Sequence, residues 1–221
     1  MRPTRYLPSL VTGIVLVALA CGLGALLYSR GDVPFEMDVW WNTFIVDTSM
    51  PLLVNFSYVM DFLGAGWFGI FVVPLGGTLL LILMKRPWSA AYFLVAQAVS
   101  AGLVQILKRS FGRARPEEIL VISDYGSFPS GHVAGAATLA TAVIVLFPKL
   151  WVIIAGVVWV LAMAFSRTYV HAHWLSDTVG GALAGVGVAL VVAALFAVPL
   201  ERERARLRDR APERTAPLTD Q

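Results

Sequence analysis

Long apolar runs dominate the chain, and polar residues are concentrated in the short segments between them. About 20 apolar residues cross the hydrocarbon core of a bilayer as a helix, and a helix satisfies its own backbone hydrogen bonds there. The runs predict six such helices, at Leu7–Tyr28, Gly64–Met84, Trp88–Leu107, Ser130–Phe147, Trp151–Phe165 and Leu175–Leu200. The pattern therefore predicts an all-α fold, a six-span transmembrane helix bundle.

The segment between the first two runs, from Arg30 to Leu63, mixes aromatic residues with scattered acids. This mixture is typical of helices at headgroup level, so we expect one or two interfacial helices there, broken near Pro51. No long linker or internal repeat divides the chain, and residues 1–200 are assigned to one membrane domain. Residues 201–221 combine many arginines with acids and are predicted to form a basic, disordered cytoplasmic tail.

Composition supports an integral membrane protein. Of the 221 residues, 58% are hydrophobic and 14% are charged, whereas about a quarter of the residues in a soluble domain are charged. The single cysteine, Cys21, excludes an intramolecular disulfide and a cysteine metal cluster. The net charge of +3 does not indicate a nucleic-acid partner, because acids are interspersed among the arginines of the tail. The bilayer is the expected partner, and no obligate protein partner is inferred.

Lysine and arginine indicate the orientation, because they are enriched on the cytoplasmic side of membrane proteins. Six spans place both ends on one side, and that side receives Arg2, Arg5, the Lys85–Arg86 turn, Lys149 and the arginines of the tail. We therefore predict a multi-pass protein of the cell membrane (inner or plasma) with both termini in the cytoplasm. The basic residues of the opposite, extracytoplasmic face then need another explanation.

Three charged stretches meet that extracytoplasmic face: LKRSFGRARP, FPSGH and SRTYVHAHWLSD. Ionisable residues at membrane depth are costly and mark functional sites. Lys108, Arg115 and Arg167 form a cationic set suited to a phosphate. Ser130 opens the fourth helix, where free backbone N–H groups favour an anion, and Gly131 leaves room for the anion to approach.

A histidine–aspartate pair lies in the third stretch. His173 and Asp177 are four residues apart and would share one helical face. The carboxylate can then accept the proton of one ring nitrogen and leave the other as an oriented nucleophile. His132, on another helix, would protonate the leaving oxygen. Phosphoryl transfer requires positioning and charge stabilisation above all, and this set of residues predicts that chemistry.

Together, the three motifs resemble the type 2 phosphatidic acid phosphatase superfamily. The family pattern is Lys-x6-Arg-Pro, then Pro-Ser-Gly-His, then Ser-Arg-x5-His-x3-Asp. It reads here Lys108…Arg115-Pro116, Pro129-Ser130-Gly131-His132 and Ser166-Arg167…His173…Asp177. Each motif alone is a weak signal, whereas all three in this order at one membrane depth are a strong one. The six-span layout extends the likeness over most of the chain.

The resemblance implies a metal-independent hydrolase of phosphoric monoesters or diphosphates that works through a phosphohistidine and needs no cofactor. His173 would be the nucleophile, Asp177 its orienter and His132 the general acid. The phosphate-binding residues would be Lys108, Arg115, Ser130, Gly131 and Arg167. Membrane members of the family act on lipid phosphates, among them phosphatidylglycerophosphate, undecaprenyl diphosphate and phosphatidate.

Other polar residues are given simpler interpretations. His171 stands where family members often have glycine, and we expect it to be a surface or pocket-lining residue rather than a metal ligand. Arg109 and Arg113 are expected at headgroup level, and Asp124 is expected to be a solvated loop acid. Asp61 has no assigned chemistry.

Two alternative functions stay open. A lipid-phosphate phosphotransferase on the same scaffold would pass the phosphoryl group to an acceptor other than water. A non-catalytic binder or transporter of anionic lipids would account for the arginines, but not for a histidine–aspartate pair with a second histidine. A vanadate haloperoxidase shares the anion pocket of the superfamily, but those proteins are soluble and much longer.

Overall fold

The structure is a computed structural model that describes residues 6–64 and 67–209. Within these two ranges every regular element is helical, so the all-α prediction is confirmed. The α-helices are α1 (Leu7–Ser29), α2 (Glu36–Asp47), α3 (Pro51–Gly64), α4 (Val73–Leu83), α5 (Pro87–Phe111), α6 (Gly131–Leu146), α7 (Leu150–Tyr169), α8 (Leu175–Leu195) and α9 (Ala197–Asp209). A π-helical segment, Phe68–Val72, leads into α4.

Four of these helices, α1, α5, α7 and α8, are long and apolar enough to cross a membrane. Helix α3 and the segment Phe68–Leu83 meet the same criterion only as a bent pair, and α6 is a shorter apolar helix of 16 residues. Large apolar side chains such as Ile14 and Leu161 are exposed on the long helices, as expected where a helix faces lipid. The chain is thus an integral membrane protein, and the count of six spans stays a prediction.

Close helix packing brings two of the three charged stretches together. Helix α8 packs against α1, α5, α6 and α7. A Cβ atom at Gly181 would lie 2.5 Å from the backbone oxygen of Ser130, and one at Gly185 would collide with the backbone of Ala134. Small residues are therefore required at these two positions. Gly135 instead faces open space.

Two apolar clusters hold the bundle together. The larger one joins α4, α5, α6 and α8 and includes Tyr92 and Val188. The smaller one contains Met60, Val133 and Met163, and it ties α3 to α6 and α7. Because burial of apolar side chains keeps these helices in register, the end of α3 is fixed beside the start of α6.

The segment between α1 and α4 contains the two predicted helices, with the break at Thr48–Met50 just before Pro51. Proline fits the first turn of a helix, where its missing N–H costs nothing. Helix α3 continues to Gly64 and pairs with the next segment as a candidate span. The sequence predicted only an interfacial helix here, whereas in the structure α3 is one half of a candidate span.

The end of the chain differs from the prediction. Helix α8 stops at Leu195, before the predicted limit at Leu200, and residues 201–209 are helical rather than disordered. Glu203 is buried and accepts hydrogen bonds from the backbone N–H groups of Trp88 and Ser89, at 2.7 and 3.1 Å. These groups open α5 and have no partner in their own helix, so α9 is docked as a cap. Residues 210–221 of the predicted tail lie outside the described residues.

Candidate active site

The three charged stretches converge on one cavity of about 720 Å³. Lys108 lies in the last turn of α5 and Arg167 in the last turn of α7. Gly131 and His132 begin α6, and His173 lies in the connection between α7 and α8. All of these residues line the cavity, together with Arg115 from the loop before α6. Ser130 is buried next to Gly131, whereas Asp177 is buried away from the lining.

The loop between α5 and α6 is held by hydrogen bonds to the site's cations. Gly126, at a φ of 74°, turns its carbonyl oxygen toward Lys108 and Arg115. The oxygen accepts from Lys108 Nζ at 2.7 Å and from Arg115 Nη2 at 2.8 Å. A left-handed φ of this kind favours glycine. The backbone N–H of Ser127 then donates to the oxygen of Arg113 at 2.8 Å, which closes the loop.

His173 is buried, and its two ring nitrogens have different partners. Nδ1 lies 2.7 Å from the backbone oxygen of Ser127, and a carbonyl oxygen can only accept, so Nδ1 carries the proton. Nε2 therefore presents its lone pair, 3.4 Å from Arg115 Nη1. Burial, and then the positive charges of Arg167 and Arg115, hold the pKa of His173 well below its ordinary value of 6.5. The imidazole is neutral at pH 7, as a nucleophile requires.

Asp177 is not the direct hydrogen-bond partner of His173. Its Oδ2 lies 3.7 Å from His173 Nδ1, beyond hydrogen-bonding distance, and the proton goes to the Ser127 oxygen instead. The predicted geometry is wrong because α8 begins at Leu175, so His173 precedes the helix and the two residues do not share a helical face. Asp177 Oδ2 accepts the backbone N–H of Trp174 at 2.8 Å and caps α8.

Arg113 lies at the centre of a buried ion network, so it does not face lipid headgroups as the sequence suggested. Its guanidinium is 1% exposed and pairs with Asp177 through Nη1 and with Asp38 of α2 through Nη2, the latter at 2.9 Å. Ser176 donates its hydroxyl and its backbone N–H to the Asp38 carboxylate, at 2.7 and 2.8 Å. The network ties α2 to the start of α8, and Asp38 is a member that the sequence did not reveal.

His132 has an aspartate partner from a distant part of the chain. Its Nε2 lies 3.1 Å from Oδ1 of Asp61 and 3.2 Å from the backbone oxygen of the same residue. The same Oδ1 also accepts from Nη1 of Arg167. Asp61 lies near the end of α3, 71 residues before His132. No local spacing joins the two, so sequence reasoning missed this contact.

A second acid, Asp124, lies between the other two cations of the site. Its Oδ1 is 3.1 Å from Lys108 Nζ and 2.9 Å from Arg115 Nη2. Burial raises the pKa of Asp124, but the charges of Lys108 and Arg115 outweigh that effect and the pKa lies below its usual range. Asp124 is an exposed loop acid as expected, with a side chain that is 55% exposed, but it also pairs with both cations.

Two buried polar atoms at the site have no hydrogen-bond partner among the described residues: the hydroxyl oxygen of Ser130 and Nε of Arg167. Ser130 precedes the first turn of α6, whose N–H groups and dipole favour an anion. A buried donor without a partner is costly. Both donors thus have the chemistry to bind an oxyanion.

Comparison with known proteins agrees with this arrangement. Residues 89–199 match the model of the PAP2 superfamily. The chain belongs to that superfamily. The matched region contains all three motifs, so the resemblance that the sequence indicated is confirmed.

Curated relatives of this PAP2 chain are lipid phosphatases. The lipid A 1-phosphatase of Rhizobium johnstonii is 34% identical over 125 residues, which cover 50% of this chain and 49% of the relative. The lipid A 4'-phosphatase of Bacteroides thetaiotaomicron is 29% identical, over 63% of this chain and 72% of its own. The undecaprenyl-diphosphatase of Sulfolobus acidocaldarius is 32% identical, over 49% and 56%. The chain spans about half the length of most of these relatives.

Two solved PAP2 structures share the fold. The transmembrane PAP2 type phosphatidylglycerolphosphate phosphatase from Bacillus subtilis superposes with a TM-score of 0.65 at 21% identity, covering 89% of this chain and 97% of that one. Aquifex aeolicus LpxE superposes with a TM-score of 0.63 at 25% identity, covering 72% and 95%. The Bacillus subtilis protein is a transmembrane protein, in agreement with the apolar helices of this chain.

The position that is often glycine in PAP2 proteins is occupied here by His171, in a left-handed conformation with a φ of 54°. Its Nδ1 donates to the side-chain oxygen of Asn42 at 2.7 Å, and the residue is buried beside the site. Among the described residues, no group of three or more His, Cys, Asp or Glu side chains is arranged to hold a metal ion. Through its hydrogen bond to Asn42, His171 supports the loop that carries His173.

Proposed function

We propose that this protein is a lipid phosphate phosphatase that works through a phosphohistidine at His173. One observation carries the proposal: the unprotonated Nε2 of a buried, neutral His173 lies in a cavity lined by Lys108, Arg115 and Arg167. A phosphate placed there would meet three cations and the two unpaired donors, Ser130 Oγ and Arg167 Nε. Such an arrangement stabilises the charge of a transferring phosphoryl group.

The reaction follows in two balanced steps. The Nε2 lone pair of His173 attacks phosphorus, the bond from phosphorus to the leaving oxygen breaks, and His132 gives that oxygen a proton. Water then attacks the phosphohistidine and passes a proton to His132, while the P–N bond breaks and phosphate leaves. His132 returns to its protonated state and His173 to its neutral one. Asp177 supports the nucleophile only indirectly. It pairs with Arg113, and the backbone oxygen of Arg113 accepts the N–H of Ser127, whose own oxygen holds His173.

The substrate is proposed to be a lipid because one wall of the cavity is apolar. Ile70, Phe71 and Leu75 line it from the Phe68–Val72 segment and α4, and Leu94 and Val104 line it from α5. A tail could lie along this wall while its phosphate reaches the cations. The names of the relatives support a phosphomonoester or a diphosphate, so lipid A joins undecaprenyl diphosphate, phosphatidylglycerophosphate and phosphatidate as a candidate.

We place the site on the extracytoplasmic face of the cell membrane, with both termini in the cytoplasm. The charged residues of the site gather at one end of the bundle, at the C-terminal ends of α5 and α7 and the N-terminal ends of α6 and α8. Helix α9, with its arginines, packs at the opposite end, against the start of α5. The positive-inside rule assigns that end to the cytoplasm.

The experiment is phosphate release by the detergent-solubilised protein from a panel of those four lipids, with a chelator present. We expect release from at least one lipid, and an acid-labile phosphohistidine after incubation with labelled substrate. His173→Ala should lose both signals while keeping the melting temperature of the wild type. Near-normal turnover by His173→Ala would refute the nucleophile, and a labelled acceptor in place of free phosphate would identify a phosphotransferase.

A further inference from the structure

Asp61 contacts both His132 and Arg167, and the proposed reaction assigns it no role. We propose that Asp61 is a positioning residue that favours the protonated form of His132 and orients it as the proton donor while it fixes the adjacent edge of Arg167. The inference rests on the proposed phosphatase function and assigns a role to a residue outside all three family motifs.

The contacts show how one carboxylate can serve both groups. Oδ1 of Asp61 accepts from His132 Nε2 at 3.1 Å and from Arg167 Nη1. The side chains of His132 and Arg167 are only 13% and 2% exposed, so water screens their charges weakly. A guanidinium beside an imidazolium would repel it, and burial leaves that repulsion weakly screened. The carboxylate between them offsets that repulsion and favours the charged imidazole.

The hydrogen bonds also decide which atoms are left for the substrate. Both atoms that Nε2 of His132 contacts, Oδ1 and the backbone oxygen of Asp61, are acceptors, so Nε2 keeps its proton. No hydrogen bond to His132 Nδ1 is found among residues 6–64 and 67–209. The transferable proton is therefore the one on Nδ1. Arg167 gives Nη1 to Asp61 and keeps Nε unpaired for the phosphate.

Packing at the end of α3 holds this arrangement in place. A Cβ atom at Gly64 would lie 2.8 Å from Cδ2 of the His132 ring and 2.7 Å from the terminal methyl of Met163. The helix that carries Asp61 thus packs directly against the imidazole. Met60, one residue before Asp61, is buried in the cluster with Val133 and Met163. The imidazole is consequently fixed by apolar contact on one side and by the carboxylate on the other.

A competing explanation is that Asp61 only occupies the phosphate position and must leave before substrate binds. The two explanations predict opposite results for Asp61→Asn. Loss of a positioning carboxylate slows protonation of the leaving group, whereas loss of a placeholder improves substrate binding. The decisive readout is the dependence on the leaving group, because a merely structural defect slows all substrates alike.

The test compares dodecyl phosphate, whose alkoxide must be protonated as it leaves, with p-nitrophenyl phosphate, whose phenolate needs no proton. For Asp61→Asn we expect kcat on dodecyl phosphate to fall about 100-fold, and kcat on p-nitrophenyl phosphate to fall by less than about 3-fold. Asp61→Glu should recover part of the dodecyl phosphate rate because it keeps the charge. Asp47→Asn, an exposed acid at the end of α2, is the matched control and should match the wild type.

Three results would overturn the inference: equal losses on both substrates, no loss on either, or an unchanged kcat with a lower KM. If Asp61→Asn does not fold, Asp61→Glu takes its place, and a larger loss on dodecyl phosphate than on p-nitrophenyl phosphate is still required. A wild-type protein that releases no phosphate from any substrate would contradict the proposed function itself. An active wild type with an unaffected Asp61→Asn would contradict only the role of Asp61.

Discussion

The site contains two histidine–aspartate pairs that differ in how they are built. His173 and Asp177 are four residues apart in the sequence, yet His173 Nδ1 and Asp177 Oδ2 are 3.7 Å apart and share no hydrogen bond. His132 and Asp61 are 71 residues apart and meet at 3.1 Å. The pair that the sequence predicts forms no direct hydrogen bond, whereas the pair that the sequence does not predict is joined by one.

The difference follows from what a buried carboxylate requires. Asp177 is completely buried, and a charge in that position is tolerated only with close partners. Arg113 and the N–H of Trp174 supply them, which leaves no short contact for His173. Asp61 is 32% exposed and can leave part of its charge to water while it bonds His132. Sequence spacing thus predicts which residues lie near each other, whereas burial decides which of them form hydrogen bonds or ion pairs.

The largest expected effect separates the two histidines. His173→Gln should lower kcat on dodecyl phosphate and on p-nitrophenyl phosphate alike, by more than about 10⁴-fold, because it removes the nucleophile. His132→Gln should lower kcat on dodecyl phosphate by about 10²–10⁴-fold and affect p-nitrophenyl phosphate far less. Steady-state phosphate release measures both. A leaving-group dependence in His173→Gln, or its absence in His132→Gln, would show that the two roles are wrongly assigned.

The sequence was informative about the site residues that lie within short motifs. Lys108, Arg115, His132, Arg167 and His173 were all predicted, and the structure brings them to one cavity. Apolar runs predicted most helix positions, since burial in lipid dominates the pattern. The bend between α3 and the segment Phe68–Leu83 and the docking of α9 were not predictable, because they depend on contacts between distant segments.

The same reason explains why the ion-pair partners of three acids and of Arg113 were not predicted. Asp38, Asp61 and Asp124 look like ordinary polar residues of loops and helix ends, and each is paired with a cation from another segment. Arg113 looks like one more basic residue of a basic loop, and two buried carboxylates surround it. Nothing in a local pattern states which opposite charge a side chain will meet after folding.

The second prediction tests whether the ion network of Asp38, Arg113 and Asp177 mainly stabilises the fold. Arg113→Met should leave Asp38 and Asp177 buried without their cation and lower the free energy of unfolding by about 3–5 kcal/mol. The loss should appear as a lower melting temperature in detergent, with reduced activity following the loss of folded protein. Arg109→Met, on an exposed residue of α5, is the control and should change stability by less than about 0.5 kcal/mol. Equal melting temperatures for the two variants would contradict the network.

The third prediction concerns the charge state of His173. Its low pKa means that the acid limb of kcat/KM, where the nucleophile becomes protonated, lies below pH 6.5. Arg115→Gln removes one of the cations that disfavour a protonated ring, so the pKa of His173 rises and the acid limb moves to higher pH. Substrate ionisation is common to both proteins, and the difference between their profiles therefore reports the enzyme. An unchanged limb, or one at lower pH, would be inconsistent with this role of Arg115.

The smallest expected effect concerns the loop that carries His173. His171 has a left-handed φ of 54° and donates to Asn42. His171→Ala loses the hydrogen bond and keeps a side chain at that φ, whereas His171→Gly loses the bond but relieves the backbone. Glycine should therefore give the more stable protein, by about 1 kcal/mol in the free energy of unfolding. Both variants should keep the leaving-group dependence of the wild type, since neither touches His132 or Asp61. If His171→Gly is instead the less stable of the two, the left-handed φ of His171 does not strain this loop.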